Sequence, residues 1–221
     1  LTIVLDGEEF ATVVCTPADL EDFVVGFLAS EGVILQPEQL HQLEIDERRG
    51  YAYVESSVKR TRSQDFYMRR FIGSCCGKSR HFYFQNDVST AQTVYTSRRL
   101  HADDCFRLMD SLHRHSSAFK QTGGVHNAAL SDGASVIAVR TDIGRHNALD
   151  KLYGHSLRQH LVLRDKVIVF SGRVSSEVLL KVSKMGVGLL LSKSAPTDLA
   201  IELADELNIT LVGFIRQNSL N

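Results

Sequence analysis

The stretch best equipped for chemistry is Gly73-Ser74-Cys75-Cys76-Gly77-Lys78-Ser79-Arg80, two adjacent thiols between glycines with Arg69 and Arg70 upstream and Lys78 and Arg80 downstream. Nearby cations stabilise a thiolate over a thiol and lower the cysteine pKa, and glycines let a partner's atoms come close to the sulfur. A thiol so placed can receive an atom and pass it on. The competing reading is simple packing, because free cysteine is among the most buried residue types, and the loop alone does not separate the two. Lys59, Arg60 and Arg62 extend the basic run upstream. Such a run is by default a solvated face, but here it leads into two thiols.

A second set of polar residues recurs in loops. Thr141-Asp142-Ile143-Gly144-Arg145-His146-Asn147, Ser171-Gly172-Arg173 and Ser192-Lys193-Ser194-Ala195-Pro196-Thr197 each follow an apparent strand and precede an apparent helix. Free N–H groups at a helix start, together with a guanidinium or ammonium, are what a phosphate needs, so these loops predict a phosphate-bearing ligand. Helix capping would account for Asp142, Asn147, Ser171, Ser175 and Thr197, but not for Arg145, Arg173 and Lys193 recurring at the same place. His126, in the glycine-rich turn Thr122-Gly123-Gly124-Val125-His126, and His146 invite a metal or acid-base reading. Neither belongs to an HxxxH or HExxH spacing, and no CxxC pair is present, so no zinc site is predicted. Hydrolase and NTPase readings lack a nucleophile elbow and a Walker lysine loop.

Such groups need a scaffold, and 221 residues with 43% hydrophobic and 23% charged content suit a soluble globular chain that folds unaided. A formal charge of -1 gives no global attraction to nucleic acid or an acidic membrane surface, so anion binding must be local. The four cysteines, Cys15, Cys75, Cys76 and Cys105, are too few and wrongly spaced for a disulfide framework, which predicts a reducing cytoplasm. No signal segment and no bilayer-spanning apolar run is read. The opening leucine, inside an apparent strand, implies a longer natural chain.

Leu1 to Leu5 and Glu8 to Val14 read as a hairpin through Asp6-Gly7. Thr16-Pro17-Ala18-Asp19 predicts a helix start with Thr16 as N-cap and Pro17 at the first position; Leu20, Phe23, Val24, Phe27 and Leu28 are its core stripe and Gly32 its end. Gln42 to Asp46 and Tyr51 to Glu55 form another β pair. A helix from about Ala102 to His115 carries Phe106, Met109 and Leu112 as an apolar stripe, with Cys105 packed inside. Ser135 to Val139, Lys166 to Phe170, Gly188 to Leu191 and Thr210 to Ile215 then read as strands alternating with helices, which predicts a largely parallel sheet covered on both faces. A boundary near residue 97 divides a β-rich region, 1–97, carrying the cysteine loop from an α/β core, 98–221.

Gly73-Ser-Cys-Cys-Gly-Lys, Thr122-Gly-Gly-Val-His, Asp142-Ile-Gly-Arg-His-Asn-Ala-Leu-Asp-Lys151, Ser171-Gly-Arg-Val-Ser-Ser-Glu177, Ser194-Ala-Pro-Thr and Leu211-Val-Gly-Phe-Ile-Arg216, in that order, resemble the formate dehydrogenase accessory sulfurtransferase family, FdhD/NarQ. The resemblance implies a three-layer, cytidine-deaminase-like α/β core and a cytoplasmic homodimer. It implies a carrier that takes persulfide sulfur from a cysteine desulfurase and sulfurates the molybdenum or tungsten bis-guanine-dinucleotide cofactor destined for formate dehydrogenase. No intrinsic metal and no nucleic-acid or membrane partner belong to that picture. It places the persulfide on Cys76, with Cys75 as second choice, and cofactor binding on Phe214, Ile215, Arg216, Gln217, Asn218 and Ser219. The chain departs from the family pattern at Ser79, where many members have a second cysteine, and at Gln217 to Ser219, where relatives often have a glycine pair and another arginine.

Two other classes stay open. A non-catalytic chaperone could bind and protect the cofactor with structural cysteines. A zinc-dependent nucleoside deaminase would need a cysteine pair and a glutamate beside a ligand histidine, which His126-Asn127-Ala128 does not provide.

Overall fold

The computed structural model describes residues 1–58, 70–72, 91–114, 124–216 and 219–221, with 70–72 as backbone alone. The predicted hairpin is present. Strands β1 (Thr2–Leu5) and β2 (Glu8–Val13) pair antiparallel, and both turn residues, Asp6 (φ 52°) and Gly7 (φ 84°), take the left-handed conformation that a two-residue turn demands. β3 (Leu40–Asp46) and β4 (Tyr51–Ser56) form the second pair, closed where the Gly50 N–H donates to the Asp46 carbonyl at 2.8 Å. With β5 (Arg70–Ile72) parallel to β2, the first sheet has the order β3-β4-β1-β2-β5.

Helix α1 (Leu20–Ser30) lies on this sheet and buries Phe23, Val24, Phe27 and Leu28 against Ile3, Leu5, Val13 and Val54. Fully burying one such side chain contributes about 1.5–3 kcal/mol, so this stripe anchors the sheet. The helix starts later than predicted. Thr16 is not its N-cap: its N–H donates to Asp142 Oδ2 (2.9 Å) and its hydroxyl accepts from the Ile143 N–H (3.0 Å). A partner 126 positions away has taken the groups that local capping would use. Asp19 stands at the helix start instead, with φ 51° and no capping bond from its side chain.

The second sheet, order β10-β9-β8-β6-β7, is built from β6 (His126–Ser131), β7 (Val136–Asp142), β8 (Val167–Phe170), β9 (Leu189–Ser192) and β10 (Thr210–Val212). β8, β9 and β10 run parallel, whereas β6 pairs antiparallel with both β7 and β8. The sheet is therefore mixed: β7, β8, β9 and β10 share one direction, and β6 runs against them. The exception is β6, a strand whose sequence His-Asn-Ala-Ala-Leu-Ser contains no β-branched or aromatic residue to mark it.

Both faces are covered, as predicted. Side chains alternate: Ala128, Leu130, Ile168, Phe170 and Leu190 pack with α3 (Arg145–Arg158), α4 (Ser176–Lys184) and α5 (Asp198–Glu206). Ala129, Val167, Val169 and Leu191 pack with α2 (Ala102–Arg114) through Cys105, Leu108, Met109 and Leu112. Residues ahead of α2 already sit on this half: Val94 is buried in its core, and the Gln92 N–H donates to Ser183 Oγ at 2.9 Å.

α1 and α3 join the two sheets by crossing backbone to backbone. A Cβ on Gly26 would come 1.8 Å from the Asp150 carbonyl, and one on Gly154 would come 1.8 Å from the Asp22 carbonyl. Only glycine permits this approach. Around it, Asp150 accepts from Lys181 Nζ (2.5 Å) and Ser30 Oγ (2.6 Å), and Asp22 accepts from Arg140 (2.8 Å) and Arg158 (2.6 Å).

Candidate functional site

Because β6 runs against β8, its first residues lie at the same edge of the second sheet as the last residues of β7, β8, β9 and β10. The three polar strand-end loops, at residues 141–147, 171–173 and 192–197, meet there. The loops are stitched together: Ser192 Oγ donates to the Gly172 carbonyl (2.9 Å), Ser194 Oγ to the Ser171 carbonyl (3.0 Å), and Asn127 N–H to Ser171 Oγ (2.9 Å). The hydroxyls of Ser171, Ser192 and Ser194 thus hold loop to loop. Ser175 and Thr197 do stand at helix N-caps, and Thr197 Oγ1 accepts the Ala200 N–H at 3.3 Å.

The segment from Asp142 to Lys151 turns mostly inward. Asp142 Oδ2 accepts from Lys151 Nζ at 2.7 Å, and neither side chain has exposed surface. Oδ1 accepts from the Gly144 N–H (2.8 Å) and Asn147 Nδ2 (2.9 Å). Lys151 also donates to the carbonyls of Thr16 (3.0 Å) and Thr141 (3.2 Å), and Asn147 Nδ2 to that of Val14 (2.9 Å). A buried pair survives only when its remaining donors and acceptors are satisfied, as they are here. The arrangement ties the end of β2 to the second sheet and is structural.

Arg145 and His146, between these anchors, stay at the edge. His146 Nε2 lies 4.0 Å from Glu177 Oε2, which accepts from Ser175 Oγ at 2.5 Å. Burial, and then the Arg145 guanidinium, hold His126 below the ordinary imidazole pKa, so it is neutral at pH 7. Gly172 packs tightly here, since a Cβ would meet the Phe170 ring at 2.8 Å and Arg145 Cβ at 3.3 Å. Among the described residues, no three His, Cys, Asp or Glu side chains gather as a metal site.

Among the described residues, a cavity of about 460 Å³ lies farther along the same edge, beside α2. Lys193, from the loop after β9, and Arg216, from the loop after β10, both line it. Lys193 Nζ is 2.5 Å from His113 Nε2 in the last turn of α2. Two cations from successive strand ends in one cavity suit an anion. A volume of several hundred Å³ is that of a small-molecule site.

Of the segment expected to bind cofactor, Ile215 and Arg216 line the cavity. The Ile215 N–H donates to the Ser192 carbonyl (3.2 Å) and fixes the chain against the end of β9. Phe214 is held left-handed at φ 53° and is exposed, with its N–H donating to the Ser194 carbonyl (3.3 Å). Ser219 closes a turn on Arg216, their N–H and carbonyl groups exchanging bonds of 3.0 and 2.9 Å. Gln217, Asn218, Cys75 and Cys76 lie outside the described residues. Arg145 and Arg173 do not line this cavity; Arg173 is exposed.

Phe106, Met109, Asp110 and His113 of α2 complete the lining and were not read from sequence as ligand-facing. Phe106 and Met109 also pack in the core, as their apolar spacing predicts. The signal that distinguishes them is that Phe106, Asp110 and His113 stand at i, i+4 and i+7, one face of the helix.

All 221 residues match the model of the FdhD/NarQ family. The chain is 59% identical to the sulfur carrier protein FdhD of Geobacillus kaustophilus and 55% identical to that of Bacillus subtilis, in each case over 100% of this chain and 84% of the relative. In fold it is similar to a crystal structure from Desulfotalea psychrophila of a protein assigned as a formate dehydrogenase accessory protein. There the TM-score is 0.76 at 22% identity, over 100% of this chain and 84% of that one.

Proposed function

The chain belongs to the FdhD/NarQ family, and from that premise we propose that it is a sulfur carrier acting as a sulfurtransferase in formate dehydrogenase maturation. Cys76 thiolate attacks the outer sulfur of a cysteine desulfurase persulfide. The donor's sulfur–sulfur bond breaks, the desulfurase cysteine leaves as thiolate, and the sulfur remains on Cys76 as a persulfide anion that neighbouring cations stabilise. The acceptor is the molybdenum or tungsten bis-guanine-dinucleotide cofactor, bound as cargo. The carrier works as a homodimer in the cytoplasm; among the described residues no helix is long and apolar enough to cross a membrane.

The observation that carries the cofactor part of this reading is the convergence of Lys193 and Arg216 in one cavity at the strand ends. Lys193 and Arg216 hold the pyrophosphate there, while the apolar lining receives the base.

The test is mass spectrometry after incubation with a desulfurase and free cysteine. A gain of one sulfur atom, lost on reduction and absent from Cys76→Ala, is expected. A chain that gains no sulfur at either thiol yet still binds GDP is a cofactor chaperone, and the transfer reading is then wrong.

A further inference from the structure

The geometry points to Asp110 as the group that reads the base of a guanine nucleotide in the cavity beside α2, its carboxylate accepting from the N1–H and the 2-amino group together. The inference rests on the nucleotide reading of that cavity and adds the basis of its selectivity.

Three features converge. α2 turns Phe106, Asp110 and His113 toward the cavity on one face, with Met109 beside them. Phe106, partly exposed over the buried Met109 and Ile215, supplies apolar surface on which a flat ring can stack, while Lys193 and Arg216 supply charge for phosphate. The cavity therefore holds a surface for a ring, two cations and one carboxylate.

The carboxylate is also available. Asp104, one and a half turns earlier on α2, is engaged by Arg107 (2.7 Å) and by the His101 N–H (3.2 Å). The Asp110 carboxylate makes no hydrogen bond or ion pair with another described residue. An anionic side chain weakens a purely phosphate-binding site, so its place in this one calls for a ligand that also carries donors. Guanine presents two adjacent donors to a carboxylate. Hypoxanthine presents one, adenine turns an acceptor toward it, and xanthine pairs a donor with a carbonyl.

The experiment is calorimetric titration of the full chain with GDP, IDP, ADP and XDP, for wild type, Asp110→Ala and Asp110→Asn. Asp110 is exposed on the helix, and circular dichroism checks that the variants fold. Wild type is expected to prefer GDP over IDP by about 10-fold and over ADP by about 100-fold, the range for hydrogen bonds to a charged group. Asp110→Ala brings the four ligands within about 3-fold of each other, and Asp110→Asn shifts preference toward XDP, whose donor and acceptor match a carboxamide.

If Asp110→Ala keeps the wild-type ranking, or tightens all four ligands equally, Asp110 does not read the base, while the nucleotide reading stands. If wild type binds none of the four, the nucleotide reading itself fails and takes this inference with it.

Discussion

Lys151 Nζ and Asp142 Oδ2 lie 2.7 Å apart with no exposed surface on either side chain, and both also bond the backbone of Thr16, just past the end of β2. Removing one partner leaves an uncompensated buried charge, at a cost of about 3–5 kcal/mol. Lys151→Met is therefore expected to lower unfolding free energy by that amount in urea titration. Adding Asp142→Leu should recover part of the loss. A single variant as stable as wild type would show that the pair is not holding the two sheets together.

Gly154→Ala puts a Cβ where the Asp22 carbonyl stands, so α1 and α3 must separate. Overpacking of this kind costs about 1–3 kcal/mol or more. Gly7→Ala is the control, because nothing lies within 4 Å of a Cβ there and only the left-handed backbone is penalised, by about 1–2 kcal/mol. Thermal unfolding of the two variants should show the larger drop for Gly154→Ala.

Lys193→Gln and Arg216→Gln each remove a cation from the cavity. Each is expected to weaken GDP binding by about 10–100-fold with little change in melting temperature. Arg173→Gln, exposed and away from the cavity, should bind GDP as wild type does. Equal losses for all three would place the phosphate elsewhere along the edge.

His155 Nδ1 lies 2.7 Å from Arg140 Nη2, so the neutral ring accepts. Burial and then Arg140 hold its pKa below the ordinary value, as burial and Arg145 do for His126. The unfolded chain therefore binds these protons more readily than the folded one. Stability is full above about pH 6.5 and falls as pH drops from there through the lowered folded values. Melting temperatures taken from pH 7.5 to 5.0 should decline, and His155→Gln, which keeps an acceptor but cannot titrate, should flatten the decline.

Local chemistry is what the sequence displays, and where local chemistry decides, the reading succeeds. Asp6-Gly7 dictates its hairpin, and the α1 stripe and the four apolar strands declare themselves. Where a distant partner decides, it does not. Thr16 looks like a helix cap until Asp142 claims it, and β6 carries no strand-forming side chains because its neighbours supply the pairing. The strand-end cations were legible as a class, but which of them share a cavity depends on how β9 and β10 lie beside α2. That brings Lys193 and Arg216 together and leaves Arg145 and Arg173 aside. Asp110 was hidden for the same reason, since a carboxylate on an amphipathic helix reads as solvated.

Where Gly26 and Gly154 meet, peptide rests directly on peptide, and no rotatable group remains to absorb a change of angle. The two sheets consequently form a rigid frame. A change in the angle between the two sheets would have to part peptide groups already in contact, so one half does not swing against the other.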